Sequence, residues 1–268
     1  MANNKTADVT AIIPYYRDND TIKRAVYSIL NQKTRPKSIF IIDDFSNRIS
    51  DNEILSEIES LSDIIKVFYL PVNKGPGDAR NKGLEEANTK YVAFLDSDDT
   101  WDSRKIETQL NYMEKYNAFI SAHDSSIAHK KVMANKSNDD FSIITPRKQL
   151  LKNRLGTRTV MMRNIDKYRF KSGKRHVEDF LLWTQIILDG HKAIKINECL
   201  AYSYKENYGE SGLTSNLSKL YKGALDAFRT LLNEKKIHKS TYFFLVALST
   251  LKHLYRLIKV GLRKRVHQ

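Results

Sequence analysis

The chain has 268 residues, of which 41% are hydrophobic, and it carries 45 Lys and Arg against 31 Asp and Glu, a net charge of +14. These values exclude an intrinsically disordered chain and a small disulfide-stabilised protein, since the core can be large and Cys199 is the one cysteine. A single cysteine also excludes a cysteine-based metal site, and it is consistent with a reducing cytoplasm.

The first hundred residues alternate short apolar strands with amphipathic helices. In chain order, strands are predicted at 9–14, 38–44, 65–70 and 91–95, and helices at 21–32, 54–61 and 77–87. The first strand is expected to stop at Pro14. Strands that alternate with helices predict an α/β fold with a mainly parallel, doubly wound sheet flanked by helices.

The second half of the sequence is less regular. Its patterns predict a helix over 104–116, strands within 119–133, a helix over 177–188, a strand over 193–204 and helical structure from 217 nearly to the end. No internal repeat, long linker or low-complexity segment interrupts the chain, so most of it is expected to be ordered.

Acidic or glycine-containing segments follow three of the predicted strands. Asp43 and Asp44 end one strand, the glycine loop at 73–77 follows the next, and three carboxylates within 96–99 follow a third. Parallel sheets bind ligands outside the carboxyl ends of their strands, so these segments are expected to meet at one rim. A divalent cation that holds a phosphate-bearing ligand would offset the clustered carboxylates. The alternative is a solvated turn in which one Asp caps a helix.

Several nucleotide-binding and hydrolytic signatures are absent from the sequence. The first strand is followed by Pro-Tyr-Tyr-Arg-Asp at 14–18, where a dinucleotide site would carry Gly-x-Gly-x-x-Gly. A Walker loop, a His-Glu-x-x-His zinc motif and a Gly-x-Ser-x-Gly nucleophile motif are also missing. The remaining interpretation of the rim is a nucleotide site in which acidic and aromatic side chains, rather than a glycine-rich loop, hold the ligand.

Five segments, in this order, resemble the family 2 inverting glycosyltransferases, which have the nucleotide-sugar-binding GT-A fold. They are Thr-Ala-Ile-Ile-Pro-Tyr-Tyr, Ile-Ile-Asp-Asp-Phe-Ser, Asn-Lys-Gly-Pro-Gly-Asp-Ala-Arg-Asn-Lys-Gly-Leu, Phe-Leu-Asp-Ser-Asp-Asp-Thr-Trp and Val-Glu-Asp-Phe-Leu-Leu-Trp. The resemblance covers residues 8–205. It implies a GT-A catalytic domain over 1–215, with a nucleotide-binding half over 1–100 and an acceptor-binding half over 101–215.

The resemblance implies a site for a nucleotide sugar, most simply a UDP-sugar, along the predicted rim. Asp43 or Asp44 would accept a hydrogen bond from the imide N–H of the base, and Asp96 would bind ribose hydroxyls. The implied donor-binding residues are Pro14, Tyr15, Asp43, Asp44, Gly75, Arg80, Asp96 and Ser97.

The resemblance also implies a metal cofactor and a catalytic base. Asp98, with Asp99 as a second possible ligand, would coordinate Mn²⁺ or Mg²⁺ bridging the two phosphates, and the metal would neutralise charge on the leaving group. Asp179 would take the proton of the acceptor hydroxyl, with Glu178 as the alternative base. Both open a predicted helix, whose dipole favours ionised carboxylates. The competing interpretation is that one of them serves only as an N-terminal helix acid.

Residues 216–268 are predicted to form a basic amphipathic helical tail. Nine Lys or Arg and no Asp or Glu occur from residue 235 onward. One helical face would be apolar, with Phe244, Leu248, Leu251, Leu254, Tyr255, Ile258 and Leu262, and the other polar, with Ser249, Lys252, Arg256, Lys259 and Arg263. Such a helix can lie on an anionic membrane surface. The alternative is that its apolar face packs on the catalytic domain or on a second subunit, as in a homodimer.

The sequence therefore predicts a metal-dependent inverting glycosyltransferase that moves a hexose or N-acetylhexosamine from a UDP-sugar to a hydroxyl of a glycan acceptor. The acceptor is expected to be linked to a polyprenyl lipid. By family analogy, its setting would be bacterial polysaccharide synthesis (capsule, O-antigen or lipooligosaccharide). The enzyme is expected to be cytoplasmic and peripheral to the inner face of the cytoplasmic membrane.

Two other classes compete with this prediction. A nucleotidyltransferase that makes nucleotide sugars would carry a glycine-rich loop with Arg and Lys after the first strand, which is missing here. A basic nucleic-acid-binding protein would suit the net charge. However, the sequence holds no recognised nucleic-acid motif and its basic residues concentrate in the tail, so no nucleic-acid partner is expected.

Overall fold

The computed structural model describes residues 5–128, 139–204 and 216–266. Its strands are β1 Lys5–Tyr15, β2 Thr34–Asp43, β3 Ile65–Tyr69, β4 Tyr91–Phe94, β5 Asp99–Trp101, β6 Ile120–Ile127, β7 Phe141–Ile143, β8 Met161–Arg163 and β9 Ala193–Ser203. Its α-helices are α1 Asn19–Leu30, α2 Ile49–Glu59, α3 Pro76–Glu86, α4 Lys105–Lys115, α5 Pro146–Leu151, α6 Glu178–Leu188, α7 Leu217–Asn233 and α8 Lys239–Val266, and a 3₁₀ turn covers Thr157–Thr159. The predicted strand content of 129–133 lies outside the described residues.

One mixed sheet runs through both halves of the described chain. Its strand order is β3-β2-β1-β4-β8-β6-β9-β5, and β7 pairs antiparallel with β9. The first four strands in this order are parallel, as the alternation of strands and helices predicts. Antiparallel β8 joins β4 to β6, and β6 runs parallel to β9. The predicted α/β sheet is confirmed, and its doubly wound, parallel part belongs to the first half of the chain.

Helices cover both faces of the sheet, because the strands present apolar side chains alternately to each side. Val9, Ala11 and Ile13 of β1 share one apolar cluster with buried side chains of α1, α2 and α4. Ile12, between them in sequence, belongs to a second cluster with α3 and α6. The core therefore consists of two apolar layers, and the carboxyl ends of β1, β2 and β4 emerge between them at one rim.

Pro14 lies within β1, which continues to Tyr15 instead of stopping at the proline as predicted. Alternate residues of a strand direct their backbone polar groups to the same neighbour. The carbonyl of Ile12 accepts from the backbone N–H of Leu95 (3.1 Å), just past the end of β4 at Phe94. The backbone of Pro14 faces the β4 side of β1, as that of Ile12 does, but it lies beyond the end of β4. The N–H that proline lacks would therefore have no strand partner, and no hydrogen bond between strands is lost.

Helix α2 begins at Ile49, earlier than the predicted start at residue 54. Its first turn is organised by a buried carboxylate rather than by apolar residues. Asp51 is fully buried and accepts hydrogen bonds from the Tyr15 hydroxyl (2.5 Å) and from Nε of Arg48 (2.6 Å). A polar cluster of this kind leaves no apolar periodicity in the sequence, which is why the pattern missed the first turn.

Helices α7 and α8 pack against each other and against α6. The shared apolar cluster contains Phe180, Leu181, Ala227, Phe228, Leu231, Ile237 and Leu245. The C-terminal segment is helical, as predicted, but it forms two helices, and each of them contributes buried side chains to the folded core. None of the helices in the described part of the chain is long and apolar enough to cross a membrane.

Lys105, at the start of α4, carries a fully buried amine. Its Nζ has no hydrogen-bond partner among the described residues and lies 3.7 Å from the centroid of the Trp101 ring. The ring face attracts a cation, but the loss of hydration acts against the charge. Burial lowers the pKa of the Lys105 amine well below its usual range.

We expect Lys105→Met to raise the free energy of unfolding by about 1–3 kcal/mol near neutral pH, because it removes an unpaired buried polar group at similar volume. Since the pKa is lowered in the folded state, the unfolded chain binds more protons, and wild-type stability should rise as the pH approaches the usual lysine pKa. The variant should lack this rise. Thermal unfolding across this pH range measures both effects, with the exposed Lys115→Met as control. A less stable Lys105→Met would contradict the expectation.

Candidate active site

Eleven of the twelve predicted site residues line one cleft of about 1110 Å³. The cleft lies at the carboxyl ends of β1, β2 and β4, where the sequence places the acidic and glycine-containing segments. Its predicted residues are Pro14, Tyr15, Asp44, Gly75, Arg80, Asp96, Ser97, Asp98, Asp99, Glu178 and Asp179. The exception is Asp43, which is buried at the end of β2 outside this lining.

Asp43 and Asp44 each hold a loop in place. Both oxygens of Asp43 accept from the backbone N–H of Ser46 (3.1 and 3.2 Å), which closes the turn after β2. The carboxylate of Asp44 accepts from the backbone N–H groups of Lys74 (2.8 Å) and Gly75 (2.7 Å), which fixes the glycine loop before α3. Burial raises the pKa of both carboxyls, and these hydrogen bonds oppose that effect. Of the two acids, Asp44 is the one at the cleft.

Two glycines bring α3 into its place beside the cleft. Gly75, which caps α3, has a φ of 97°, a conformation that side-chain-bearing residues rarely adopt. A Cβ on Gly83 would lie 2.6 Å from Cγ2 of Ile12, so the helix packs directly on β1. Alanine at Gly83 would therefore push α3 away from the sheet. This close approach positions Arg80, one turn earlier on the same helix, at the rim.

Arg80 joins two acidic parts of the cleft. Its guanidinium is buried and donates to Oδ1 of Asp96 (2.7 Å) and to Oε1 of Glu178 (3.2 Å). Asp96 follows β4 and Glu178 opens α6, so one cation links segments that are far apart in sequence. Burial raises the pKa of the Glu178 carboxyl, and the charge and hydrogen bond of Arg80 oppose this shift.

We expect Arg80→Gln to lower the free energy of unfolding by about 3 kcal/mol, because it leaves Glu178 buried without its cation. The expected value is at the lower end for a buried pair, since the Asp96 side chain is 31% exposed. Arg80→Lys should lower the free energy of unfolding by less, because it keeps the positive charge. Chemical denaturation measures the change, and Lys82→Gln on the same helix, which breaks an ion pair nearer the surface, is the matched control. An Arg80→Gln protein as stable as that control would show that the pair contributes little.

The loop after β4 carries the predicted metal ligands in different environments. Asp99 is buried and forms an ion pair with Arg158 (3.0 Å). Burial raises the pKa of Asp99 to about 7, although Arg158 opposes the shift. Asp98 is partly exposed, and its carbonyl accepts from Arg24 (3.1 Å), which holds the loop against α1. Asp98 is thus the better placed of the two carboxylates to face a ligand in the cleft.

The donor set suits a metal that is shared with a phosphate ligand. The structure shows no group of three or more His, Cys, Asp or Glu placed to hold a metal within residues 5–128, 139–204 and 216–266. Mg²⁺ at nucleotide sites uses one or two carboxylates and fills its remaining positions with phosphate oxygens and water. Asp98, with Asp96 two residues away, supplies oxygen ligands of this kind, so the residues present fit Mn²⁺ or Mg²⁺.

Asp179 and Glu178 enter the cleft at the start of α6. The preceding Val177 has a φ of 64°, in the left-handed region that β-branched residues rarely occupy. Oδ2 of Asp179 accepts from Nδ2 of Asn153 (3.1 Å) and from the Thr157 hydroxyl (3.3 Å). Burial raises the pKa of both carboxyls. Glu178 is paired with the Arg80 guanidinium, whereas the side-chain donors to Asp179 are neutral, so Asp179 is the better placed candidate for the base.

Sequence reasoning missed a set of cations that line the cleft from distant parts of the chain. They are Lys152, Arg158, Arg175, Lys252 and Arg256. Their partners are remote, as in the pair of Arg158 with Asp99, 59 positions away. The run of basic residues after residue 235 was the one sequence signal, and it did not show that α8 faces the cleft.

Helix α8 presents its basic face to the cleft and its apolar face outward. Lys252 donates from Nζ to the carbonyl of Leu151 (2.7 Å). The outward stripe consists of Phe244, Leu251, Leu254, Tyr255 and Ile258, each at least 50% exposed. The alternative that this stripe packs on the catalytic domain is therefore wrong for these five residues, whereas Leu248 does line the cleft. The side chains of residues 259–266, which include Lys259, Leu262 and Arg263, lie outside the described part.

Comparison with known proteins identifies the family. Residues 10–171 match the family described as Glycosyl transferase family 2. The chain belongs to glycosyl transferase family 2. It is 32% identical to the putative teichuronic acid biosynthesis glycosyltransferase TuaG of Bacillus subtilis, over 88% of this chain and 92% of that one. It is 30% identical to the UDP-Glc:alpha-D-GlcNAc-diphosphoundecaprenol beta-1,3-glucosyltransferase WfgD of Escherichia coli, over 81% and 84%.

Solved structures share the fold of this glycosyltransferase. S. aureus TarS 1-349 in complex with UDP-GlcNAc superposes with a TM-score of 0.72 at 18% identity, covering 92% of this chain and 72% of that one. The mannosyltransferase PcManGT from Pyrobaculum calidifontis, in complex with GDP-Man and Mn²⁺, gives 0.63 at 12% identity over 91% and 73%. The predicted GT-A fold and inverting glycosyltransferase family are confirmed, and the nucleotidyltransferase and nucleic-acid-binding alternatives are set aside.

Proposed function

We propose that this glycosyltransferase moves a sugar from a UDP-sugar to a hydroxyl of an acceptor carried on a polyprenyl diphosphate, in the synthesis of a bacterial surface polysaccharide. The observation that carries the proposal is a single cleft lined by both Asp98, the candidate metal ligand, and Asp179, the candidate base. The printed substrates of WfgD and the UDP-GlcNAc bound to TarS support a UDP donor, and the WfgD acceptor supports a diphosphate-linked lipid.

The donor base would lie between β1 and the glycine loop. Pro14 and Tyr15 would flank it, and the Tyr15 hydroxyl is held away from the cleft by Asp51 and Asn19. Burial and the Asp51 carboxylate raise the pKa of Tyr15, so this hydroxyl stays protonated. Each oxygen of an ionised carboxylate accepts more than one hydrogen bond. Asp44 can therefore hold the glycine loop and still accept from the imide N–H of the base.

The donor diphosphate would lie at the loop after β4. Asp98, assisted by Asp96, would hold Mn²⁺ or Mg²⁺ together with phosphate oxygens. When bound, the metal supplies Lewis-acid stabilisation of the departing UDP. Arg80 fixes one oxygen of Asp96 and leaves the other available for a ribose hydroxyl or the metal. Ser97 donates from its hydroxyl to Asp18 (2.7 Å), which anchors the loop against the start of α1.

Transfer would proceed by direct displacement at the anomeric carbon. The acceptor oxygen forms a bond to this carbon as the bond to UDP breaks, and Asp179 takes the hydroxyl proton. Asn153 and Thr157 orient the carboxylate through hydrogen bonds to Oδ2. An α-linked donor therefore gives a β-linked product.

The configuration of the product tests this reaction. Wild-type enzyme is incubated with a UDP-sugar and a sugar diphosphate on a short lipid, and the linkage is assigned by NMR. A β linkage from an α-linked donor supports displacement with Asp179 as base. An α linkage would contradict it, and release of pyrophosphate would instead reveal nucleotidyl transfer.

The exposed apolar stripe of α8 suggests how the cleft reaches a lipid-linked acceptor. We infer that this stripe, Phe244, Leu251, Leu254, Tyr255 and Ile258, lies on the anionic inner face of the cytoplasmic membrane. Amphipathic helices bind such surfaces through buried apolar area and basic residues, and the chain has a net charge of +14. Because the opposite side of α8 lines the cleft, this placement brings the acceptor site next to the lipid surface.

Replacing Leu251, Leu254 and Ile258 with serine is expected to weaken binding to vesicles containing phosphatidylglycerol by about 100-fold or more, since three apolar side chains leave the lipid interface. Sedimentation with vesicles measures the loss. Ile49→Ser, at an exposed isoleucine on α2, is the matched control. If the triple variant binds vesicles as wild type does, but analytical ultracentrifugation shows that a wild-type dimer has become a monomer in the variant, the stripe is a subunit contact instead.

A further inference from the structure

Three cations meet where α8 borders the cleft, and the donor site described above uses none of them. Lys252 and Arg256 lie one helical turn apart on the cleft side of α8. Lys252 donates a hydrogen bond to the carbonyl of Leu151, the residue before Lys152. This contact places Lys252 and Arg256 near Lys152, which also lines the cleft. Burial, then the charges of Arg256 and Lys152, lower the pKa of the Lys252 amine. The three charges are therefore close enough to repel one another.

The cations border the candidate base. Asn153, the residue after Lys152, donates to Asp179 at 3.1 Å. This side of the cleft is built by α5, α6 and α8, whereas the proposed donor groups come from β1, β2, β4 and α3. A ligand held by the cations would thus approach Asp179 from the acceptor side.

We propose that Lys152, Lys252 and Arg256 form a subsite for the diphosphate of the acceptor, which places the hydroxyl of the attached sugar at Asp179. The inference rests on the proposed function. A diphosphate offers several anionic oxygens, and Lys and Arg are the side chains that bind such groups.

Two features of the molecule favour this occupant. The cleft is lined by seven carboxylates, Asp18, Asp44, Asp96, Asp98, Asp99, Glu178 and Asp179, so an anionic acceptor needs a cationic entry side. The same helix also turns its apolar stripe outward, so a polyprenyl chain leaving the diphosphate can pass along α8 into the membrane. The subsite and the membrane contact would be opposite sides of one helix.

Steady-state kinetics on paired acceptors tests the proposal without vesicles. The probes are N-acetyl-α-D-glucosaminyl diphosphate carrying a short alkyl chain, and the corresponding alkyl N-acetylglucosaminide without the diphosphate. Lys252→Gln and Arg256→Gln should each raise KM for the diphosphate probe about tenfold or more. KM for the UDP-sugar and KM for the neutral probe should not change. Lys252→Arg should restore binding, and Lys239→Gln, at the start of α8 outside the cleft, should behave as wild type.

Three outcomes would overturn the proposal. An equal loss with both probes would make the cations structural, and a raised KM for the UDP-sugar would assign them to the donor diphosphate. If the variants keep wild-type kinetics in the absence of vesicles but bind phosphatidylglycerol vesicles more weakly, the three cations would be assigned to lipid headgroups.

Calorimetry separates this proposal from the proposed function. If no UDP-sugar supports transfer, the function fails. Tighter binding of the diphosphate probe than of the neutral probe, lost in Lys252→Gln, would still support the subsite. Equal affinity of wild type for the two probes would overturn it.

Discussion

Replacing Asp179 with asparagine is expected to reduce kcat for sugar transfer by about 10²- to 10⁴-fold, the range that general bases contribute. Asparagine keeps the shape of the side chain but cannot take the acceptor proton. Because Asp179 is placed on the acceptor side of the cleft, affinity for the UDP-sugar should change little. Stopped-time assays of product formation give kcat, and calorimetry gives the donor affinity.

Glu178→Gln is the matched comparison, since it removes the neighbouring charge on the same helix. It breaks the pair with Arg80, so we expect lower stability but a smaller loss in kcat than for Asp179→Asn. If Glu178→Gln instead loses as much kcat while remaining folded and Asp179→Asn stays active, the two roles are reversed.

The pH profile gives an independent check on the base. Burial raises the pKa of Asp179 above that of an exposed aspartate. The base acts only when deprotonated, so kcat/KM should fall as the pH drops through this raised pKa, at a higher pH than an exposed carboxylate would give. The residual activity of Asp179→Asn should lack this acid limb. An acid limb that persists in the variant would assign it to another group.

Replacing Asp98 with asparagine is expected to reduce metal-stimulated transfer by about 100-fold or more, because the carboxylate would no longer hold the cation that stabilises the leaving group. The effect should appear in binding as well as turnover. Wild-type affinity for UDP should rise when Mn²⁺ is added, and the variant should lose most of that rise.

Asp102→Asn provides the control for charge removal near the same loop, because Asp102 pairs with Arg104 outside the cleft. It should keep both activity and Mn²⁺-dependent UDP binding. An Asp98→Asn protein with undiminished Mn²⁺ dependence would place the metal on other residues. Asp99 would then need to leave its pair with Arg158.

The central sheet could be predicted from the sequence because its signals are local. Runs such as that at 91–95 are short, apolar and bounded by turn residues, and β4 is buried along its whole length. The errors arose where distant groups decide the structure. Pro14 is tolerated inside β1 because β4 ends beside it, and α2 starts early because Asp51 meets Tyr15 and Arg48.

The candidate site also has parts that local sequence predicts and parts that depend on distant groups. The rim residues could be named because each follows a recognisable strand, but the sequence did not separate Asp43 from Asp44. Their roles depend on which loop each carboxylate holds. The pairing of Asp99 with Arg158 was hidden because its partner is remote in sequence.

The orientation of α8 was the least predictable feature. The sequence predicts a helix with an apolar stripe and a basic face. On a globular protein, the apolar stripe of such a helix ordinarily faces the core. Here Leu245 of α8 is buried in the core beside α7, Tyr242 and Val246 pack against the same cluster, and the hydrogen bond from Lys252 to Leu151 turns the basic face to the cleft. Both contacts are tertiary, so periodicity could not show which side would face outward.

Binding and slow hydrolysis of a panel of nucleotide sugars, with and without Mn²⁺, test the central claim most directly when wild type is compared with Asp98→Asn. We predict that one UDP-sugar binds and is hydrolysed in a Mn²⁺-dependent manner by wild type, and that Asp98→Asn loses this response while remaining folded. A folded wild-type protein that responds to no nucleotide sugar, with or without Mn²⁺, would contradict the assignment of this cleft as a donor site.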